Sequence, residues 1–429
     1  MSKARPIIFS GTIARAAIIA AMGLTTATVH ADEPTSQTPF VKELLSHWAT
    51  FDSNNDGVIG PDEVNKLVID RTVTGDEAAA AASLKLIIRL KSAKGREPLP
   101  PLTRAFFDAY NEKAMATLHH DGLKHAVEET AGAEGLTEEA TKPAEAPANF
   151  DRYFVASKKR LAGAAGDAWR TSGYTLDNVH QGPMGDCFFV ASATSLSIHR
   201  PEYLSHLVQQ LPDGSYRATF PNAAPFTFPA LTHTQLAISG NTTGDGAWLA
   251  VLEQAFGRYR ASLKGRSLES DGTESLYTGG DSKVTLTALT GHKIERIPFP
   301  KFVEDREAKK ETILPQLRET LTKAIADHRA ITAGILPPPK EGKDGKTPVK
   351  LPPNINANHV YAVVDYDAKT DVVQIWNPHG QSFTPKGEPG LANGYVTEHG
   401  RFKLPLAEAY SFYTSFTFET DQPANGKME

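Results

Sequence analysis

An α+β fold, with a small helical segment leading a mixed core, is what this 429-residue sequence predicts. Three features carry that reading. Apolar residues recur at helical spacing between 39 and 130. Residues 132–150 are rich in Ala, Glu, Thr and Pro with no apolar period, as a linker is. From Tyr153 onward, short alternating runs such as Val360 to Val364 and Val372 to Trp376 mark strands among helical segments. At roughly 150 residues per domain, the length fits two or three domains.

The first 31 residues read as an export signal. Lys3, Arg5 and Arg15 supply positive charge, Ala16 to Leu24 is a short apolar run, and Val29-His30-Ala31 is a cleavage site ahead of Asp32. The run falls short of the roughly 20 residues that a membrane span needs. The expected product is therefore secreted or periplasmic, with no membrane span. Removing the signal takes three cations and no anions, so 45 basic against 50 acidic residues becomes 42 against 50, a net charge of −8. Without a basic excess there is no electrostatic footprint for nucleic acid. The oligomeric state has no signature in the chain.

Residues 32–131 read as a helical domain. Val41, Leu44, Leu45 and Trp48 recur at helical spacing, as do Val64, Leu67 and Val68. Thr74-Gly75-Asp76-Glu77 predicts a capping box that opens an alanine-rich helix running through Leu90. Between the first two helical stretches, Asp52 to Glu63 matches the twelve-residue EF-hand loop. Ca²⁺ takes six to eight oxygens. Asp52, Asn54 and Asp56 stand at positions 1, 3 and 5, Val58 offers its carbonyl at position 7, Gly60 acts through water, and Glu63 is the bidentate ligand at position 12. Gly57 permits the sharp turn. Such hands pair, and a ligand-less partner is expected to start at Asn111, with Lys113, Met115 and Gly122 where acids belong.

The chain has a single cysteine, Cys187. An unpaired thiol in an exported protein is either reactive or a buried apolar filler. Its neighbours bear on the choice. Gln181 to Gly185 is a Gly/Pro turn, and Phe188, Phe189, Ala191, Ala193 and Leu196 predict a buried helix. Cys187 then sits at the helix N-terminus with Asp186 as its cap, where free N–H groups favour thiolate. Gln181 offers an amide donor for an oxyanion beside it. A base and its orienting partner are expected from a hairpin turning about Ala368, in which Val363 faces Val373 and His359 faces Asn377. Taken singly, each of these residues has an ordinary structural reading. Together, in the order Cys, His, Asn, they point to a nucleophile, a base and an orienter.

These residues carry a resemblance. The segment 181–196 resembles the catalytic motif of the calpain family, Gln-Gly-x-x-Gly-Asp-Cys followed by an aromatic. Asn358-His359-Val360-Tyr361 and Asn377-Pro378-His379-Gly380 resemble its histidine and asparagine motifs. Trp248 to Phe256 resembles its tryptophan helix, and Gly279-Gly280 its paired glycines. The resemblance covers about residues 151–418. It implies a two-lobed papain-like protease core, with Cys187 and Gln181 in a first lobe (151–278) and His359 and Asn377 in a second (279–429). It also implies a cysteine endopeptidase acting on protein or peptide substrates. Phe188 and His379 replace two tryptophans of the family. Asn178 and Gly246 stand where the family's core calcium site has acids, with Asp177 and Asp245 one residue away.

Two other functions fit the same residues: an inactive calcium-binding scaffold, and an acyltransferase passing the acyl group to an amine. No His-Glu-x-x-His pattern supports a zinc hydrolase. Residues 32–150 are expected to lie on or near the cleft until the linker is cut, and the Pro/Lys/Gly insertion 336–353 is expected to be a mobile loop.

Overall fold

The computed structural model describes residues 37–92, 97–121, 149–164, 175–268, 271–339 and 345–424. The export signal and nearly all of the expected linker lie outside them. No helix among the described residues is long and apolar enough to cross a membrane.

The N-terminal part is helical: α1 (Pro39–Ser46), α2 (Trp48–Phe51), α3 (Pro61–Ile69), α4 (Gly75–Lys91), α5 (Arg104–Asp121) and α6 (Phe150–Gly163). Aromatic residues bind them into one core. Phe40 stacks on Phe150 with centroids 5.0 Å apart, and Phe51, Phe107 and Phe154 close around them. Phe150, at the end of the expected linker, opens α6 and is fully buried. Thr74 precedes α4 as expected, but its side chain makes no cap bond. The Gly75 N–H instead donates to His233 Nδ1 at 3.1 Å.

The expected partner loop is overturned as well. Asn111 does not begin a loop, because residues 104–121 form a single helix and Asn111 lies inside it, its oxygen accepting the Thr38 N–H at 2.8 Å. No glycine interrupts this stretch before Gly122, and Ala, Met, Lys and Glu are strong helix formers. The Asp52–Glu63 loop does have a pairing partner, earlier in the chain. Ile59 N–H donates to Leu102 O at 3.0 Å, and Val58 bridges Thr103. The segment between α4 and α5 therefore takes the place expected of the loop at 111.

The remainder is mixed α/β around two further cores. The first is built on α7 (Cys187–His199), a helix without a charged face that is buried from Cys187 to Ser197. α8 (Tyr203–Leu207), a three-stranded sheet of β2 (Val208–Gln210), β3 (Tyr216–Ala218) and β4 (Phe226–Phe228), α9 (His233–Ile238), α10 (Trp248–Ser262) and α11 (Ser282–Thr290) surround it. A two-stranded ladder joins β1 (Val179–His180) to β5 (Asn241–Thr242). The second core lies on an antiparallel six-stranded sheet. Its strands are β6 (His292–Pro298), β7 (Ile331–Ile335), β8 (His359–Asp367), β9 (Val372–Trp376), β10 (Arg401–Pro405) and β11 (Ser415–Pro423), in the order β10-β9-β8-β7-β11-β6. Helices α12 (Val303–Ala326) and α13 (Leu406–Phe412) cover it. α7 lies against β7 and β8, where Ser195 Oγ donates to Ile331 O at 3.0 Å and accepts its N–H at 2.8 Å.

The helical N-terminal part docks on the α7 core. Val68, Ala82 and Leu86 pack with Ala237 and Ile238. Thr232 Oγ1 donates to Val68 O at 2.6 Å, and buried Lys85 pairs with Glu274. The 336–353 insertion, where described, is pinned: Val303 N–H donates to Thr347 O at 3.0 Å, Phe302 bridges Pro348, and Val349 is buried.

Candidate active site

A cleft of about 1210 Å³ opens between the start of α7 and the end of the large sheet. Gln181, Gly185 and Cys187 line one side, and His359, His379 and the segment 349–358 line the other. None of its lining residues comes from 37–164, so the described N-terminal helices do not cover the cleft. Val68, Ala82 and Leu86 pack on Ala237 and Ile238 instead.

Cys187 is the first residue of α7 and is 9% exposed. The expected cap is absent: Asp186 precedes the helix, but its carboxylate makes no cap bond and is wholly buried. Burial pushes the Cys187 thiol up to about 12. The Val360 N–H opposes that, the Asp186 charge reinforces it, and the Phe188 and Cys187 N–H groups pull it back. Desolvation thus outweighs the helix terminus and raises the thiol pKa. Gln181 is buried and satisfies the helix entry. With its oxygen turned inward, the side chain accepts from Asp186 N at 3.1 Å and Cys187 N at 3.2 Å, which frees Nε2 for another acceptor.

His359 opens β8, and Asn377 follows the last residue of β9. Asn377 Oδ1 accepts the His379 N–H at 3.0 Å and lies 2.8 Å from His359 Nε2. A backbone N–H needs an acceptor, so the amide oxygen faces both. His359 Nε2 therefore carries the hydrogen and Nδ1 the lone pair. The two residues meet although the expected register fails. Ala362 pairs with Trp376 and Val363 with Ile375, then a bulge shifts the ladder so that Tyr366 pairs with Val373. The bulge and the longer turn, with Asp371 at φ 56°, move the pairing by two to three residues. Asn377 reaches His359 because it has left the ladder: its N–H donates to Gly400 O at 2.8 Å instead.

Burial holds His359 well below the usual imidazole range, and neighbouring His379 pushes the same way, against the hydrogen bond to Asn377. Burial alone brings His379 down to about 4.

Two further features support the site from behind. Asp186 and Glu253 are both fully buried, and Glu253 accepts the Gly240 N–H with both oxygens, at 3.1 and 2.8 Å. Burial raises both carboxyls, Asp186 to about 7, and the two hydrogen-bond to each other. Two carboxylates in one dry site cannot both ionise, so the pair keeps a proton. The clue was a lone acid inside the apolar run from Trp248 to Phe256. The second feature is the glycine pair. Gly279 adopts φ 70°, and a Cβ on Gly280 would run into the Phe188 ring beside Cys187.

The Asp52–Glu63 loop is all-oxygen in its donors. Gly57 takes φ 84°. Asp52 accepts from Asp56 N, Gly57 N and Trp48 Nε1, while Glu63 folds back onto Asn54 N at 3.2 Å and Gly60 N at 2.8 Å. Asp52 and Glu63 are buried, and among the described residues no lysine or arginine forms an ion pair with them or with Asp56. Three acids without a cationic partner, on oxygen donors only, suit a hard divalent cation in kind. No group of three or more His, Cys, Asp or Glu is drawn into a metal cage among the described residues. The second calcium position fits poorly. Asp177 is taken by Arg401, and Asp245 accepts from Thr175 N at 2.9 Å and Asn178 Nδ2 at 3.2 Å.

A family model described as calpain family cysteine protease matches residues 164–388. No curated protein matches the chain.

Proposed function

The chain belongs to the calpain family of cysteine proteases, whose model spans more than half of it, and from that membership we propose an exported endopeptidase that cleaves protein substrates through Cys187, His359 and Asn377. His359 Nδ1 takes the Cys187 proton as the thiolate attacks the scissile carbonyl. Gln181 Nε2 donates to the oxyanion. The imidazolium then protonates the leaving amine, and water, activated by the same imidazole, hydrolyses the thioester. Asn377 holds the tautomer that leaves Nδ1 basic.

What carries the reading is the 2.8 Å contact from His359 Nε2 to Asn377 Oδ1, on the wall of the cleft that Cys187 also lines. The test is cleavage of an unfolded protein by the mature chain, 32–429, beside Cys187→Ala. Full proteolysis by the mutant would end the proposal.

Calcium belongs to the same reading. Asp52, Asn54, Asp56, the Val58 carbonyl and Glu63 would hold it, where it would neutralise the loop's acids and brace α2 against α3. One observation favours the inactive-scaffold alternative: Cys187 is buried, and burial raises its thiol pKa. Alkylation of Cys187 at neutral pH faster than a model thiol, and lost in His359→Ala, would dismiss it.

A further inference from the structure

The geometry points to Asp177 and Arg401 as positioning residues, an ion pair that clamps the strand leading to Gln181 and Cys187 onto the strand end bearing Asn377 and does so without a metal. This inference rests on the peptidase reading above. Asp177 lies in the single 3₁₀ turn Leu176–Asn178 that feeds β1 and then Gln181. Arg401 is the first residue of β10, paired with Trp376. Its neighbour Gly400 accepts the Asn377 N–H at 2.8 Å. Arg401 Nη2 donates to Asp177 Oδ2 at 2.8 Å. Each partner is thus only a few residues, or one hydrogen bond, from a group of the active site.

Two other contacts cross the same seam. Gln181 N–H donates to Pro378 O at 2.8 Å. Gly380 packs so tightly on His180 that a Cβ there would run into the ring. Together the three contacts set how far Gln181 and Cys187 stand from His359. The ion pair is the member built from charge. Its side chains are 33% and 38% exposed, so its value to stability is small. Its effect lies in placement, since a misplacement of about 1 Å costs about 100-fold in rate. It also occupies the Asp177 carboxylate, one residue from a position where the family's calcium site has an acid, which leaves that carboxylate no part in holding calcium.

The test uses the mature chain with Asp177→Asn, Arg401→Gln and the exchanged pair Asp177→Arg/Arg401→Asp. Cleavage kinetics, the pH profile of Cys187 alkylation by iodoacetamide, and the thermal midpoint are measured with calcium and with chelator. Each single variant should lower kcat roughly 10- to 100-fold, with KM within about 3-fold. The midpoint should move by no more than about 4 °C. The alkylation profile should shift toward that of His359→Ala, the exchanged pair should recover at least about 10-fold, and calcium should restore nothing. Singles with wild-type kcat and alkylation, an exchanged pair no better than the singles, or rescue by calcium would each overturn the proposal. If the wild-type chain cleaves nothing, the peptidase reading falls, and the alkylation profiles alone decide whether the clamp holds the thiol to the imidazole.

Discussion

The imidazole of His379 lies stacked on that of His359, with ring centroids 4.2 Å apart and planes 24° from parallel. A tryptophan belongs at this position in the family's motif. The exchange keeps the aromatic cover and adds a second titratable ring, which opposes protonation of the first. His379→Trp should therefore raise the pKa of His359. The acid limb of kcat/KM should move to higher pH by a fraction of a unit, and kcat should change less than about 10-fold. The sign for stability follows separately. His379 titrates at about 4 when folded, against an ordinary 6.5. Its neutral burial supports the fold above pH 6.5, and that support is lost as pH falls toward 4. Urea midpoints at pH 7.5 and pH 5 should differ less in His379→Trp than in the parent chain; an unchanged difference would refute this account.

The Asp186–Glu253 pair acts in the opposite direction. A carboxyl raised from 3.8 to about 7 binds a proton in the folded state that the unfolded chain has released. Stability from this group is greatest at low pH and declines as pH rises from about 4 to about 7. Glu253→Gln gives Asp186 an amide partner and removes the shared proton. The loss of stability between pH 5 and pH 8 should shrink, as read from denaturation midpoints at both values. If the mutant and parent curves run parallel, the pair does not share a proton.

The site was legible in local sequence more fully than in long-range geometry. Gln181, Cys187 and the buried helix after them announce themselves through a Gly/Pro turn followed by an unbroken apolar run, a pattern that operates over a few residues. The His359–Asn377 contact was also anticipated, but for a reason that the register contradicts. A bulge after Val363 adds a residue to one strand, and neither Val364 nor Asp365 marks it. The partner of Ile59 was misplaced because Leu102 carries no ligand pattern, and only the fold brings its carbonyl to the Ile59 N–H. Asp186 reads as a cap from its position alone, whereas the decision was made by Glu253, 67 residues on in the chain, which draws the carboxyl inward. Charge pairs such as Asp177–Arg401 leave no periodic trace at all.

Gly280 sets the position of the aromatic next to the nucleophile. Gly280→Ala places a methyl against the Phe188 ring, which also carries the Arg260 guanidinium 5.1 Å from its centroid. The ring must shift, and Cys187 is its chain neighbour. Overpacking of this kind costs about 1–3 kcal/mol. The expected outcome is a lowered thermal midpoint together with slower alkylation of Cys187. Gly279→Ala supplies the contrast: its Cβ meets nothing, but φ 70° is strained for alanine. That variant should lose stability by about 1 kcal/mol with little change in thiol reactivity. Equal effects of the two on alkylation would refute the contact argument.

The calcium loop offers its own reporter. Trp48 Nε1 donates to Asp52 Oδ2 at 2.9 Å, so an ion drawn to Asp52 changes the field at the indole. Titration of the mature chain with calcium should alter tryptophan emission and raise the thermal midpoint. At a concentration 100 times Kd the gain is about 2.7 kcal/mol. Glu63→Gln removes the expected bidentate ligand but keeps an acceptor for Gly60 N–H, so the fold should survive while the calcium response disappears. Asp52→Asn should weaken the response less, because one oxygen remains. If Glu63→Gln responds to calcium as the parent does, the loop is a solvated turn whose acids hold only their own backbone. A calcium-dependent cleavage rate would then have to arise elsewhere in the chain.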